Sequence, residues 1–280
     1  MDKIECFAKR VREKMGAAVP SDVPRGTWKN KRSGNEYNHI YQEIRENFID
    51  GIQLTRCDMK GDLSGKDINY HVDATHMNSS QVMCINYFYK FFEHPDFEAY
   101  LLTILMSFGI EIDIKDNIRS ASFEYVPNAT ERTSLDFYMV LESWMAISFE
   151  IKYTEHRFGL PKKDPNDPDK YKRRWNNIYK DMVKQSSHLN LGKRAFYNNY
   201  QINRNILYAN SCDYVLFITP RANDSMGICR GRSYIDSLEN DHIRNIYWED
   251  LIQKTLEVVD KCDELKEYYQ KFYDKYIGVL

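Results

Sequence analysis

Residues 120–153, SASFEYVPNATERTSLDFYMVLESWMAISFEIKY, decide how the chain is read. Three stretches within them, Ser120–Val126, Thr133–Val140 and Ala146–Tyr153, carry strand-type residues and are joined by connections of hairpin length. The spacing predicts an antiparallel meander. In its last strand Glu150 and Lys152 share one face, while Ile147, Phe149, Ile151 and Tyr153 share the other, because successive side chains alternate. A hairpin centred on Thr130 sets Glu124 opposite Asp136, and one centred on Ser143 sets Asp136 opposite Glu150. Glu124, Asp136 and Glu150 then form one row, with Lys152 a step further along the same face. A register slip of two residues keeps them on that face.

Like charges side by side destabilise a sheet. Such a row is retained where a cation neutralises it, and all-oxygen ligation suits a hard ion such as Mg²⁺. The plainer reading makes the row the solvent side of the meander. The D/E-x-K triplet decides little by itself, since Asp58/Lys60, Asp113/Lys115 and Glu264/Lys266 repeat it. Glu264/Lys266 sits on an evident helix, where positions two apart diverge. Gly109–Lys115 alternates like a strand and is the serious competitor, but no upstream strand offers it a second carboxylate.

Upstream, Asn78-Ser-Ser-Gln81 reads as a helix start, Pro95 interrupts the apolar run, and Asp96 caps a second helix to Phe108. Downstream, a proline-bearing loop (Gly159–Lys170) precedes a basic helix over Trp175–Leu191. Ile178, Met182 and Leu189 mark its apolar stripe, and Gln185 falls on that stripe, where an inward amide needs a polar partner. Lys162, Lys163, Lys170, Lys172, Arg173, Arg174, Lys180, Lys184, Lys193 and Arg194 surround Tyr171, Trp175 and Tyr179, a composition suited to phosphate contact or to a solvated helix face. Asp213–Pro220 reads as a buried strand, Asn245–Trp248 as a short one, and Trp248–Tyr276 as an amphipathic helix. Nearer the N-terminus the pattern predicts helices over Asp2–Met15 and Glu36–Ile49 around a polar arm. Asp58–Met77 shows no clear period. Within it His71, Asp73 and His76 carry metal-donor chemistry, but their spacing fixes no common face.

The 280 residues suffice for a sizeable core. A formal net charge of −2 supplies no global basic field, so a nucleic-acid partner requires a local patch. The 21 tyrosines suit either base stacking or an aromatic core. Six scattered cysteines form no C-x-x-C pair, which argues against a zinc ribbon or disulfide scaffold and fits reduced thiols. The start of the sequence lacks a signal-peptide core, and Tyr100–Phe108 is too short to span a bilayer, so a cytoplasmic protein without membrane association is expected.

The order helix, three-strand meander, helix, strand over residues 78–220 resembles the PD-(D/E)XK nuclease superfamily, the restriction-endonuclease-like fold. Asp136 matches the second-strand acid, Glu150 and Lys152 match the E-x-K of the third strand, and Gln185 resembles a helix glutamine of several subfamilies. Ser79-Ser-Gln81, Cys84 and Asn86 are similar to a subgroup of bacterial restriction-type endonucleases. Leu135 stands where many members have proline, and Glu124 matches no universal position.

The resemblance implies an α/β chain with an αβββαβ core and a central mixed sheet flanked by helices. It places that core at 78–220, between an N-terminal helical and loop extension (1–77) packed on it and a C-terminal helical extension (221–280). It further implies a Mg²⁺-dependent endodeoxyribonuclease, Mn²⁺ substituting, of restriction or genome-defence type. Asp136, Glu150, the Ile151 carbonyl and, for a second ion, Glu124 would be ligands, with Lys152 handling the attacking water. Lys172, Arg173, Arg174, Lys180 and Lys184 would meet DNA, and a homodimer is compatible with cutting both strands. A non-catalytic DNA-binding or structural relative, or a nuclease for RNA or branched DNA, would share the fold.

Overall fold

The structure, a computed structural model, describes residues 6–29, 34–162 and 164–280. Lys163 of the basic segment and residues 2–5 of the first expected helix lie outside them. In chain order the elements are α1 (Phe7–Ala18), β1 (Arg25–Thr27), β2 (Glu36–Tyr41), β3 (Asp58–Lys60), α2 (Ser80–Phe88), α3 (Glu98–Ser107), β4 (Ile118–Tyr125), β5 (Leu135–Leu141) and β6 (Ala146–Ile151). There follow α4 (Lys170–Arg174), α5 (Lys180–Gln185), α6 (Lys193–Asn198), α7 (Tyr200–Ile206), β7 (Tyr214–Thr219), α8 (Met226–Asp236), β8 (Ile243–Tyr247), α9 (Trp248–Val258) and α10 (Asp263–Phe272).

A six-stranded mixed sheet in the order β3-β4-β5-β6-β7-β8 organises the molecule. Its first four strands are antiparallel, and β6, β7 and β8 run parallel. Phe123 pairs with Phe137 and Phe137 with Phe149, which is the register expected from hairpin centres at Thr130 and Ser143. The fold is the restriction-endonuclease-like α/β core.

Two apolar layers cover the sheet. On one face Phe137, Ile147, Phe149, Ile151 and Tyr153 join α1, α2, α3, α9 and α10 in a single core. Helix α2 is buried from Gln81 to Phe88, with Phe88 stacked on Phe137 at 4.2 Å between ring centroids. Its start is capped as its sequence predicts: Ser79 Oγ accepts the Val82 N–H at 3.4 Å. On the other face Tyr179, Val183, Phe196, Ile202 and Ile206 pack on Val215 and Phe217. Strand β7 is therefore apolar on both sides, as expected of a parallel strand between two layers. Much of the tyrosine excess is core: Tyr87, Tyr153, Tyr179, Tyr268, Tyr269 and Tyr276 are fully buried.

Several elements differ from their sequence readings. Glu36–Ile49 is not a helix but strand β2 followed by a short 3₁₀ turn at Ile44–Asn47, because Gly26 and Thr27 of β1 pair with Tyr37 and Glu36. Gly109–Lys115 forms no strand; Asp113 Oδ1 accepts the Lys115 N–H at 2.9 Å and closes an Asx turn instead. The basic helix ends at Gln185 and contains a π-helical turn at Trp175–Tyr179. The C-terminal helix is broken by a turn at Val259–Cys262, where the Cys262 N–H bonds the Val259 carbonyl at 2.8 Å. Helices α6 and α7 have no counterpart in the sequence reading, and α8 is expected there only as part of the helical extension over 221–280.

Candidate active site

Ser148, Glu150 and Lys152 lie on the β6 face turned toward α7, not toward water. Glu150 is 1% exposed and Lys152 7%. The row is thus no solvated side of a meander, since burying ionised groups costs several kcal/mol unless they are paired. Lys152 Nζ donates a short hydrogen bond to Glu150 Oε1 and lies 3.4 Å from the Ile151 carbonyl oxygen. Its backbone is held from both sides, the N–H by Ile218 O at 2.9 Å and the carbonyl by Trp248 Nε1 at 3.1 Å.

Asp136 is partly exposed beside this pair, and its Oδ2 accepts the Ile151 N–H at 2.7 Å. Burial and then the neighbouring Glu150 push its carboxyl well above the ordinary range, Lys152 only partly opposing them and Glu124 adding to the rise. Burial by itself would lower the Lys152 ammonium, but Glu150, Glu155 and Asp136 outweigh it and hold the group above its usual value. One lysine faces two close carboxylates, so the local balance is negative.

Glu124 departs from the row. Its φ of 50° puts it in the left-handed region at the end of β4. There its carboxylate accepts Gln81 Nε2 at 3.0 Å and Ser134 Oγ at 2.8 Å, with His71 Nε2 4.0 Å away. Glu124 still acts on Asp136 through charge, but it is tied to α2.

Gln185 is exposed and does not turn inward. A π-helical turn carries an extra residue per turn. The buried stripe is accordingly Tyr179 and Val183 rather than Ile178 and Met182. The amides that reach Glu150 come from α7: Gln201 Nε2 donates to Oε1 at 2.7 Å and Asn205 Nδ2 to Oε2 at 2.6 Å. They stand four apart on one helical face, a spacing visible in the sequence beside Ile202 and Ile206.

Of the basic residues, Lys172, Arg173, Lys180 and Lys184 are exposed. Arg174 instead donates to buried Glu131 Oε1 at 3.1 Å. Glu131 also accepts Arg204 Nε at 2.6 Å, Tyr179 OH at 2.5 Å, Tyr208 OH at 2.9 Å and the Thr133 N–H at 2.8 Å, tying the β4–β5 connection to the helical layer.

Among the described residues no group of three or more His, Cys, Asp or Glu is arranged to hold a metal ion. The donor set here is two carboxylates and a carbonyl, which matches how Mg²⁺ is usually held, by one or two carboxylates plus water and substrate phosphate. Two further observations fit a hard cation: the Asp136 carboxyl, whose ionised form is disfavoured by burial and by Glu150 and would be favoured by a cation, and Asn205 Oδ1, which is buried without a hydrogen-bond partner beside Glu150. No described helix is long and apolar enough to cross a membrane. No curated protein and no solved structure matches the chain. A family model does, over residues 17–277, and it spans both sheet layers and all three central strands. On that match, the chain belongs to the family described as restriction endonuclease associating with ARP.

Proposed function

We propose that the protein is a metal-dependent endonuclease that hydrolyses DNA phosphodiester bonds at the Asp136–Glu150–Lys152 cluster. The observation that carries this reading is the burial of Glu150 and Lys152 next to a carboxylate short of positive charge. Asp136, Glu150 and the Ile151 carbonyl would hold Mg²⁺ or Mn²⁺, whose chemistry there is to polarise a phosphate oxygen and lower the pKa of a bound water. Asp136 keeps the Ile151 peptide oriented through its N–H. Gln201 and Asn205 fix both oxygens of Glu150, the supporting role that outer residues of metal sites play. Lys152 brings a cation to the charge that develops on the phosphate in the transition state. Exposed Lys172, Arg173, Lys180 and Lys184 would position the backbone without reading sequence. The family description names association with ARP, so in this reading the enzyme works beside such a partner.

The test is incubation of wild type and Lys152→Ala with supercoiled plasmid, single-stranded DNA and RNA, in Mg²⁺, Mn²⁺ or chelator. The expected result is divalent-dependent nicking or linearisation of plasmid by wild type and none by the variant. Equal cleavage by Lys152→Ala, or cleavage that persists in chelator, would sink the assignment. RNA as the preferred substrate would redirect it.

A further inference from the structure

A concavity lies beside the cluster. It is a cleft of about 340 Å³ between the chain that follows β6 and helix α8, walled by His156, Arg157, Phe158, Asn198, Asn199 and Arg230 among others. Its shape depends on two glycines four apart on α8. A Cβ on Gly227 would strike the Arg157 backbone and side chain, and one on Gly231 would strike the Phe158 ring. Only there can the 156–159 segment lie directly on the helix.

The lining contains no aspartate or glutamate, although the whole chain carries a formal net charge of −2. Arg157 and Arg230 are exposed, and neither guanidinium makes a hydrogen bond or ion pair among the described residues. Elsewhere some exposed basic side chains are held by a carboxylate, as Arg173 is by Asp167 and Lys271 by Asp50, whereas these two guanidiniums stand together on one acid-free concave surface. Unpaired guanidiniums flanking an acid-free cleft favour a phosphate. Asn198 and Asn199 add amides able to meet a base edge.

The cleft is also coupled to the reaction centre. The Phe158 ring centroid is 5.8 Å from Lys152 Nζ. Gly159 and Gln201 exchange hydrogen bonds, the Gly159 N–H to Oε1 at 2.5 Å and the Gln201 N–H to Gly159 O at 3.1 Å, while the same Gln201 amide donates to Glu150. A volume near the lower end of small-ligand sites, about 300–1,000 Å³, accommodates one nucleotide and excludes a base pair.

We propose that this cleft is a single-nucleotide subsite, receiving one unpaired nucleotide of the DNA strand next to the phosphate presented to Asp136 and Glu150. The proposal rests on the nuclease reading of that pair. Its occupant must leave the duplex stack, so strands already unpaired are favoured.

Binding in chelator-containing buffer tests it apart from catalysis. The full chain and the Arg157→Ala/Arg230→Ala double variant are titrated against a fluorescein-labelled single-stranded oligonucleotide, its perfect duplex, and that duplex with one bulged nucleotide, over a salt series. Wild type should bind the single-stranded and bulged probes more tightly than the duplex. The double variant should lose about 10-fold on those two probes, with a shallower salt dependence, and change by less than about 2-fold on the duplex. Unchanged binding of the bulged probe, equal losses on all three probes, or no binding of any probe by wild type would overturn the subsite. Failure of the nuclease reading has a different signature: Lys152→Ala cleaves as wild type does, while the probe preference stands.

Discussion

Lys152 occupies an informative place. Its ammonium rests on Glu150 Oε1 and near the Ile151 carbonyl, two of the atoms that would hold an ion in the proposed site, so it serves as an internal counter-charge to Glu150. Asp136 remains undercompensated. An acid whose folded pKa is raised binds its proton more tightly folded than unfolded, so its ionisation at neutral pH weakens the fold. Asp136→Asn should therefore abolish cleavage yet stabilise the metal-free protein at pH 7 by about 0.5–2 kcal/mol. Thermal melts in chelator would check this, and added Mg²⁺ should narrow the gap by stabilising wild type alone. Glu131 has the opposite sign. Burial alone would raise its carboxyl, but hydrogen bonds from Arg204, Thr133 and Tyr179 hold it down to about 2. Its contribution, on the order of 3 kcal/mol, is present above the ordinary value of 4.5 and is lost as pH falls through about 2. Glu131→Gln should cost about 3–5 kcal/mol at pH 7 by leaving Arg204 without its buried partner, and its denaturation midpoint should change less between pH 5 and pH 3 than that of wild type.

At the scale of elements, what was legible in the sequence was what local periodicity and turn length determine. The meander and its register followed from strand alternation about Thr130 and Ser143, and they brought Asp136, Glu150 and Lys152 together. The helical cover was less legible. A π-helical turn at Trp175–Tyr179 shifts the phase of the basic helix, and no propensity in that stretch announces it. Helix α7 was hidden by composition: Asn198, Asn199, Asn203 and Asn205 favour turns, and only burial of Asn203 and Asn205 against Phe196 and Glu150 makes a helix of them. Glu124 left the row because its left-handed backbone lets it meet Gln81 on α2, a long-range pairing that strand alternation does not encode. These differences give a sharp comparison. Asn205→Ala should reduce divalent-dependent cleavage about 10–100-fold, whereas Gln185→Ala should leave single-turnover rates within about 2-fold. Equal losses in the two variants would contradict the assignment of α7 as the supporting helix.

Across the whole molecule, the site lies where the sheet changes character. Strand β6 is antiparallel to β5 and parallel to β7, and Glu150 and Lys152 stand at its carboxyl end, the side on which open α/β sheets bind ligands. One layer of helices supplies a continuous core running from α1 to α10, which holds the strands rigid from behind. The other layer supplies the amides on Glu150, the Glu131 hub and the walls of the acid-free cleft. The chain thus separates support from chemistry by face. The central claim is that Asp136 and Glu150 form a divalent-cation centre, and calorimetric titration of the chain with Mn²⁺ or Mg²⁺ tests it without substrate or partner. The account predicts saturable binding to wild type, at least 10-fold weaker binding to Asp136→Asn, and binding to Gln185→Ala indistinguishable from wild type. Absence of binding to wild type, or affinity unaltered in Asp136→Asn, would contradict it.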